Sequence, residues 1–190
     1  IPILLNRHFI ESDIRITTGF VEPHFFAGFS GGPKLVAPGL AGMDTILALH
    51  SAGLIGHPKS TWGTVEGNPI QEAIGKIASQ VGVSFTLDVT LNRDHAITGV
   101  YAGDLFPAHR AACREVREAS MKKLKGPFDI VVTTNSGYPL DLNLYQSVKG
   151  MSAAARIVKE GGMIICAAEC RDGIPREGAY REILSRVSNP

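Results

Sequence analysis

Short apolar runs of strand length alternate with helix-period stretches along the whole of this 190-residue chain. That alternation restricts the architecture before any single residue is weighed. Strands followed by helices bury their apolar faces on one another in layers, which is the α/β class. Residues 14–18 read as a strand and 42–52 as a helix. Asn68 caps a helix running to about Val81, with Ile70, Ile74 and Ile77 on one stripe. Residues 83–91 and 96–101 read as strands around the turn 92–94. Asp104 opens a helix with Leu105, Ala108, Ala112, Val116 and Ala119 on one face, and Lys122, Lys123 and Lys125 suit its C-terminus. Gly126-Pro127 breaks the chain, and residues 128–133 begin a strand of a second domain. After it, 142–159 read as a helix with Gly150 as a bending point, ended by Gly161-Gly162. A strand over 163–168 and a helical run over 177–187 complete the pattern.

Hydrophobic residues make up 44% of the chain, enough for a core and too many for disorder. Lys and Arg number 19 against 18 Asp and Glu, a net charge of +1. That balance leaves no electrostatic footprint for nucleic acid or an anionic membrane. No apolar run approaches bilayer length. Ile1-Pro-Ile-Leu-Leu-Asn-Arg7 lacks the basic leader and cleavage-like tail of a secretion signal. Three cysteines cannot all pair within one chain and read as reduced thiols of a cytoplasmic protein; the spacing of Cys166 and Cys170 fits no strong metal or redox motif. The chain opens without Met and closes at Ser188-Asn-Pro190 after a helical run, which reads as a piece of a longer protein.

Chemistry concentrates in Gly19-Phe-Val-Glu-Pro-His24-Phe-Phe-Ala-Gly-Phe-Ser-Gly-Gly-Pro-Lys34, followed by His50. A glycine loop after a strand turns backbone N–H groups toward an anion, typically a phosphate. Lys34 beside Ser30-Gly31-Gly32 is a counter-charge to that anion, a nucleophilic amine, or an exposed turn lysine. His24, before Phe25 and Phe26, is either a partly buried histidine or a general acid/base whose pKa is tuned by aromatic walls. His50 closes a helix, where the dipole favours histidine; a metal ligand is its other reading. His24, His50 and His57 match no standard zinc spacing. His8, His57, His95 and His109 read as surface or structural.

A second constellation starts where the strand 128–133 ends, the place where open α/β sheets bind ligands. Asp141 or Asn143 can cap the helix that follows. Tyr145 and Lys149 then share a face at i, i+4, with Gln146 adjacent. A phenol, an amide and an ammonium suit a small hydroxy acid or carboxylate; a solvated helix surface is the other reading.

Taken together, these segments resemble the nickel-dependent lactate racemase family. The resemblance is carried by Thr18 to Lys34 as quoted, Pro38-Gly39, His50, Gly67-Asn68-Pro69, Ala102-Gly103-Asp104 and Gly137-Tyr-Pro-Leu-Asp-Leu-Asn-Leu-Tyr145-Gln146-Ser-Val-Lys149-Gly150. It implies two α/β lobes with an interdomain cleft. Residues 1–125 would form the later part of an N-terminal cofactor-tethering domain, and 126–190 the early part of a C-terminal one. It implies a nickel-pincer nucleotide, a pyridinium thiocarboxylic acid mononucleotide carrying nickel, made by dedicated cofactor-biosynthesis proteins. By matching position, Lys34 would tether the cofactor, His50 would ligate nickel, His24 would be one of two acid/base histidines, and Phe26 would line the pocket. Ser30, Gly31 and Gly32 would border the cofactor, while Tyr145, Gln146 and Lys149 would handle substrate. The second histidine and the phosphate-gripping residues would lie upstream.

The implied reaction has a physical logic. Removing a proton from the α-carbon of a carboxylate builds charge beside an existing anion. Taking the hydrogen as a hydride, while a base takes the hydroxyl proton, avoids this and leaves a flat 2-keto acid. Returning the hydride to the other face inverts the centre. Two competing readings remain at this level. One is a Schiff-base enzyme in which Lys34 forms an imine with pyridoxal phosphate or a keto acid. The other is a non-catalytic nucleotide- or anion-binding module.

Overall fold

In the computed structural model, residues 1–175 and 179–187 are described. The elements run α1 (Arg7–Glu11), β1 (Ile16–Phe20), β2 (Pro23–His24), β3 (Gly28–Phe29), a 3-10 turn (Gly32–Leu35), α2 (Met43–Leu49), α3 (Ala52–Ile55), α4 (Pro69–Val81), β4 (Phe85–Leu91), β5 (Ile97–Gly103), α5 (Leu105–Ser120), β6 (Phe128–Thr134), α6 (Leu144–Ala154), β7 (Val158–Ala167) and α7 (Ala179–Arg186). The architecture is α/β, and the chain divides into two compact units, Ile1–Lys122 and Lys123–Pro190. No helix among the described residues is long and apolar enough to cross a membrane.

In the first unit, β4 pairs in parallel with β1 and antiparallel with β5. The short strands β2 and β3 form a separate antiparallel hairpin. Helix α5 packs on β4, β5 and the 3-10 turn. The sheet face beneath it is polar. Thr17, Thr86, Asp88 and Thr90 are buried there, while Ile16, Phe85, Leu87 and Val100 stay exposed. Hydrogen bonds make this inversion tolerable: Thr17 Oγ1 donates to Thr86 Oγ1 at 2.9 Å, and Thr90 bonds Thr98 and Glu115. The main apolar core lies elsewhere, where Phe26, Val36 and Leu49 meet Ile70, Ile74 and Ile77 from α4. A second cluster joins Val21 and Phe29 to Ala112, Cys113 and Val116 of α5.

Several expected boundaries shift. Helix α4 begins as the sequence indicates, with Asn68 Oδ1 accepting from the N–H groups of Ile70 and Gln71. The expected 42–52 helix is two pieces, α2 and α3, because His50 leaves helical geometry. Lys122, Lys123 and Lys125 lie beyond α5, which ends at Ser120, and Ala119 is exposed instead of joining the buried stripe. Asn6 caps the unanticipated α1.

In the second unit, β6 and β7 run parallel and α6 packs on both. Gly161-Gly162 does not end a helix. Helix α6 stops at Ala154, and β7 already begins at Val158, so the two glycines sit inside an irregular stretch of the strand. Gly150 lies inside α6 and lets the helix approach β6, for an added Cβ there would lie 2.4 Å from the Thr134 carbonyl oxygen. Part of the expected 177–187 helix, residues 177–178, lies outside the described residues, as do 188–190.

Candidate functional site

Three of the expected residues of the first unit come together around one aromatic ring. The His24 ring meets Phe26 edge-on at 4.5 Å between centroids, and His50 meets the same ring edge-on at 5.2 Å. Phe26 is 7% exposed and belongs to the core, so it is an anchored partner for both imidazoles. His24 also stacks on Phe25 at 5.0 Å.

The hydrogen bonds of the two imidazoles differ in kind. Nδ1 of His50 lies 2.7 Å from the Ile46 carbonyl oxygen, one helical turn back. A carbonyl only accepts, so Nδ1 carries a proton, and in the neutral ring Nε2 keeps a lone pair, the arrangement found in metal-ligating histidines. At His24 the Ala27 N–H donates to Nδ1 at 3.2 Å. Here Nδ1 is the acceptor, so the neutral ring carries its proton on Nε2.

The segment bearing Lys34 is built from within. Ser30 Oγ donates to the Phe20 carbonyl at 3.0 Å and accepts from the Glu22 N–H at 2.9 Å. Gly31 and Gly32 take positive φ of 72° and 51°, which glycine adopts readily. One N–H of this nest is bonded within the chain: the Gly32 N–H donates to Asp88 Oδ2 at 3.0 Å. Ser30 Oγ and the Gly32 N–H therefore hold the loop. The Lys34 N–H then bonds back to the Gly31 carbonyl at 3.1 Å, leaving the half-buried side chain on the 3-10 turn.

Sequence reasoning gave no role to several residues that hold this segment. Asn68 was legible as a cap, yet its Nδ2 also donates to the carbonyls of Phe26 and Thr64. Gln71 Nε2 donates to the carbonyls of Ala27 and Phe29. Asp88 is fully buried, and burial raises its pKa above 3.8 while the Gly32 N–H and His109 pull it back. His109, 3% exposed, lies against the loop, and burial holds its pKa below 6.5. Beside it, burial pushes the Cys113 thiol up to about 12, so it is inert as a nucleophile. Apart from the Asn68 cap, these contacts had no motif signal, because the carbonyls and amide that Asn68, Gln71, Asp88 and His109 bond in this segment are distant in sequence.

Among the described residues, no three His, Cys, Asp or Glu side chains gather as a metal cage. A metal at His50 would therefore take its other donors from outside these side chains, as a cofactor with its own donor atoms provides. A recess of about 520 Å³ is lined by Leu4, Arg7, Ile10 and Val81, away from the imidazoles.

In the second unit, Asn143 caps α6, its Oδ1 accepting from the Gln146 N–H at 3.1 Å. Asp141, the other expected cap, is instead buried and accepts from the Glu169 N–H through Oδ2. Tyr145 is 52% exposed and meets the Tyr180 ring edge-on at 5.3 Å. Gln146 and Lys149 are half-buried on the same helix. Cys166 lies in β7 opposite Thr133, and Cys170 approaches Ser147 Oγ at 3.4 Å; neither is in a disulfide.

Comparison with known proteins covers both units. Residues 1–63 match the family model described as lactate racemase N-terminal domain, and residues 123–189 the lactate racemase C-terminal domain. The chain is 45% identical over 177 residues to the lactate racemase of Thermoanaerobacterium thermosaccharolyticum, covering 93% of this chain and 41% of that protein. It is 44% identical over 187 residues to the lactate racemase of Lactiplantibacillus plantarum, covering 98% of this chain and 44% of that one. The chain thus spans less than half the length of these relatives. The structure of the T. thermosaccharolyticum lactate racemase apoprotein superposes with a TM-score of 0.89 at 43% identity, over 96% of this chain and 46% of that one. A Thermotoga maritima protein aligns with a TM-score of 0.56 at 28% identity, over 68% of this chain and 34% of its own.

Proposed function

The chain belongs to the lactate racemase family, and from that premise we propose that the protein carrying it is an isomerase that interconverts the enantiomers of a lactate-like 2-hydroxy acid. Lys34 and His50 would hold a nickel-pincer nucleotide, Lys34 through a covalent bond to its amine and His50 through Nε2 to the metal. The observation that carries this reading is the His50 tautomer: with Nδ1 bonded to the Ile46 carbonyl, Nε2 presents a lone pair of the kind nickel binds. When bound, the nucleotide supplies an electrophilic centre able to accept and return the hydride of the α-carbon.

The side chains of this chain do the rest. His24 exchanges the hydroxyl proton on one face of the substrate. Its resting tautomer has the proton on Nε2, so the lone pair that takes a further proton is the one on Nδ1, free once Nδ1 releases the Ala27 N–H. That contact is 3.2 Å, at the long end for an N–H donor, and yields readily. Phe26 keeps both imidazoles against an apolar surface, which limits water around them. Ser30, Gly31 and Gly32 shape the turn that presents Lys34. On α6, the Lys149 ammonium would neutralise the carboxylate, and Tyr145 and Gln146 would orient the hydroxyl and keto oxygen. The Schiff-base reading of Lys34 leaves the His50 arrangement without a role.

The test is to produce the full-length protein together with the cofactor-biosynthesis proteins. Intact mass should show an adduct that maps to Lys34, metal analysis should show nickel, and the loaded protein should convert L-lactate to the racemate. A nickel-loaded protein that leaves every 2-hydroxy acid enantiomer unchanged would overturn the activity.

A further inference from the structure

We propose that Asp88 and His109 are positioning residues that clamp the Ser30-Gly31-Gly32 backbone and so fix where Lys34 presents its amine. Two backbone groups of the loop are held by side chains from elements far away in sequence. Asp88 on β4 accepts the Gly32 N–H through Oδ2 at 3.0 Å. His109 on α5 lies 2.9 Å from the Ser30 carbonyl oxygen through Nε2, and because a carbonyl only accepts, Nε2 carries the proton. The fit is close as well as polar. A Cβ added at Gly32 would meet the His109 ring at 2.3 Å, and one at Gly31 would lie 3.2 Å from Asp88 Oδ1. Both residues are buried, at 0% and 3% exposure, and Asp88 Oδ1 has no hydrogen-bond partner.

Burying a carboxylate with one oxygen unbonded opposes stability. A residue selected for the core alone would not be aspartate. Its bonded oxygen instead acts on one backbone amide, two residues before Lys34. The amide of Lys34 itself bonds to the Gly31 carbonyl, so the clamped turn and the lysine backbone form one hydrogen-bonded unit. Neither side chain need touch substrate or cofactor for this role.

The inference rests on Lys34 being the functional lysine, so it is tested on the full-length apoprotein, where no cofactor is involved. Amide exchange is followed for residues 30–36 and, as reference, for helix α4. The acylation rate of the Lys34 amine is measured against that of exposed Lys76. In Asp88→Ala and His109→Phe, exchange in 30–36 should speed up about tenfold, the scale of one lost hydrogen bond to a buried partner, while α4 keeps its protection. The Lys34-to-Lys76 acylation ratio should shift with it. Asp88→Asn and His109→Gln retain the acceptor and the donor and should restore both readouts. Uniform loss across the loop and α4, including failure to fold, overturns the clamp. So does an unchanged loop, an unchanged acylation ratio, or an Asp88→Asn variant as loose as Asp88→Ala. A missing adduct on wild-type Lys34 would instead sink only the cofactor reading.

Discussion

His24 and His50 contact the same Phe26 ring in opposite tautomers. One accepts a backbone N–H at Nδ1 and carries its proton on Nε2; the other gives its Nδ1 proton to a carbonyl and keeps a lone pair on Nε2. Under the proposed function, that difference would suit the first to moving protons and the second to holding a metal.

Replacing His50 with alanine should abolish nickel binding while the Lys34 adduct persists. Metal analysis and intact mass on the same sample read both at once. Nickel retained at wild-type stoichiometry would remove His50 from the ligand set.

His24→Gln should give the converse result. Adduct and nickel stay, and kcat for racemisation falls by about 10²–10⁴, the usual worth of a general acid/base. Steady-state rates on a fully loaded sample decide it, and a near wild-type kcat would show that the proton goes elsewhere.

In Lys34→Ala the mass adduct should disappear, with stability changed by no more than about 1 kcal/mol, since the side chain is only half-buried on a turn. Thermal melts of the apoprotein check the second part. An adduct that moves to another lysine contradicts the tether.

Asn68→Ala should be far more damaging than an ordinary cap deletion. The side chain accepts from the N–H groups of Ile70 and Gln71 and donates to the carbonyls of Phe26 and Thr64, all from a fully buried position. A loss of about 3 kcal/mol is expected, combining the cap with buried carbonyls left unbonded. Urea unfolding measures it.

His109 should shape stability on the acid side. Burial lowers its folded pKa below 6.5, the Ser30 carbonyl and Asp88 raise it, and Arg110 lowers it; Cys113 lies beside it on the same helix. The unfolded chain therefore binds the proton first. The stabilisation is present above pH 6.5 and is lost as pH falls through the folded pKa. Asp88 works in the other direction: its raised pKa favours the folded state below pH 3.8, and this is lost as pH rises through the folded value. Unfolding free energies measured from pH 5 to 8 should fall toward acid more steeply in the wild type than in His109→Gln. Parallel profiles would mean that His109 is not held neutral.

The α/β layering, the Asn68 cap, the apolar stripe of α4 and the two constellations could be read from the sequence because each is a local pattern. Where reading failed, the local pattern was misleading. Gly161-Gly162 looks like a helix terminus, yet the same pair serves an irregular strand stretch in β7. The five residues of α1 offer too few positions for a period to emerge. Asp88 alternates with Leu87 and Val89, a pattern that ordinarily puts the acid in solvent. The structure instead turns it inward because the Gly32 N–H, more than fifty residues earlier, waits there. Long-range partners of this kind leave no trace in spacing.

The apolar outer face of the first sheet has a practical consequence at the bench. Ile16, Phe85, Leu87 and Val100 are bare there, and in the second unit Ile130, Val132, Met163 and Ile165 stand 58%, 71%, 57% and 47% exposed. Parallel pairs such as β6 and β7 ordinarily have both faces covered in α/β proteins. Prepared alone, these 190 residues would behave as a sticky colloid, self-associating and binding hydrophobic dyes, and with a net charge of only +1 they have little electrostatic repulsion to keep copies apart.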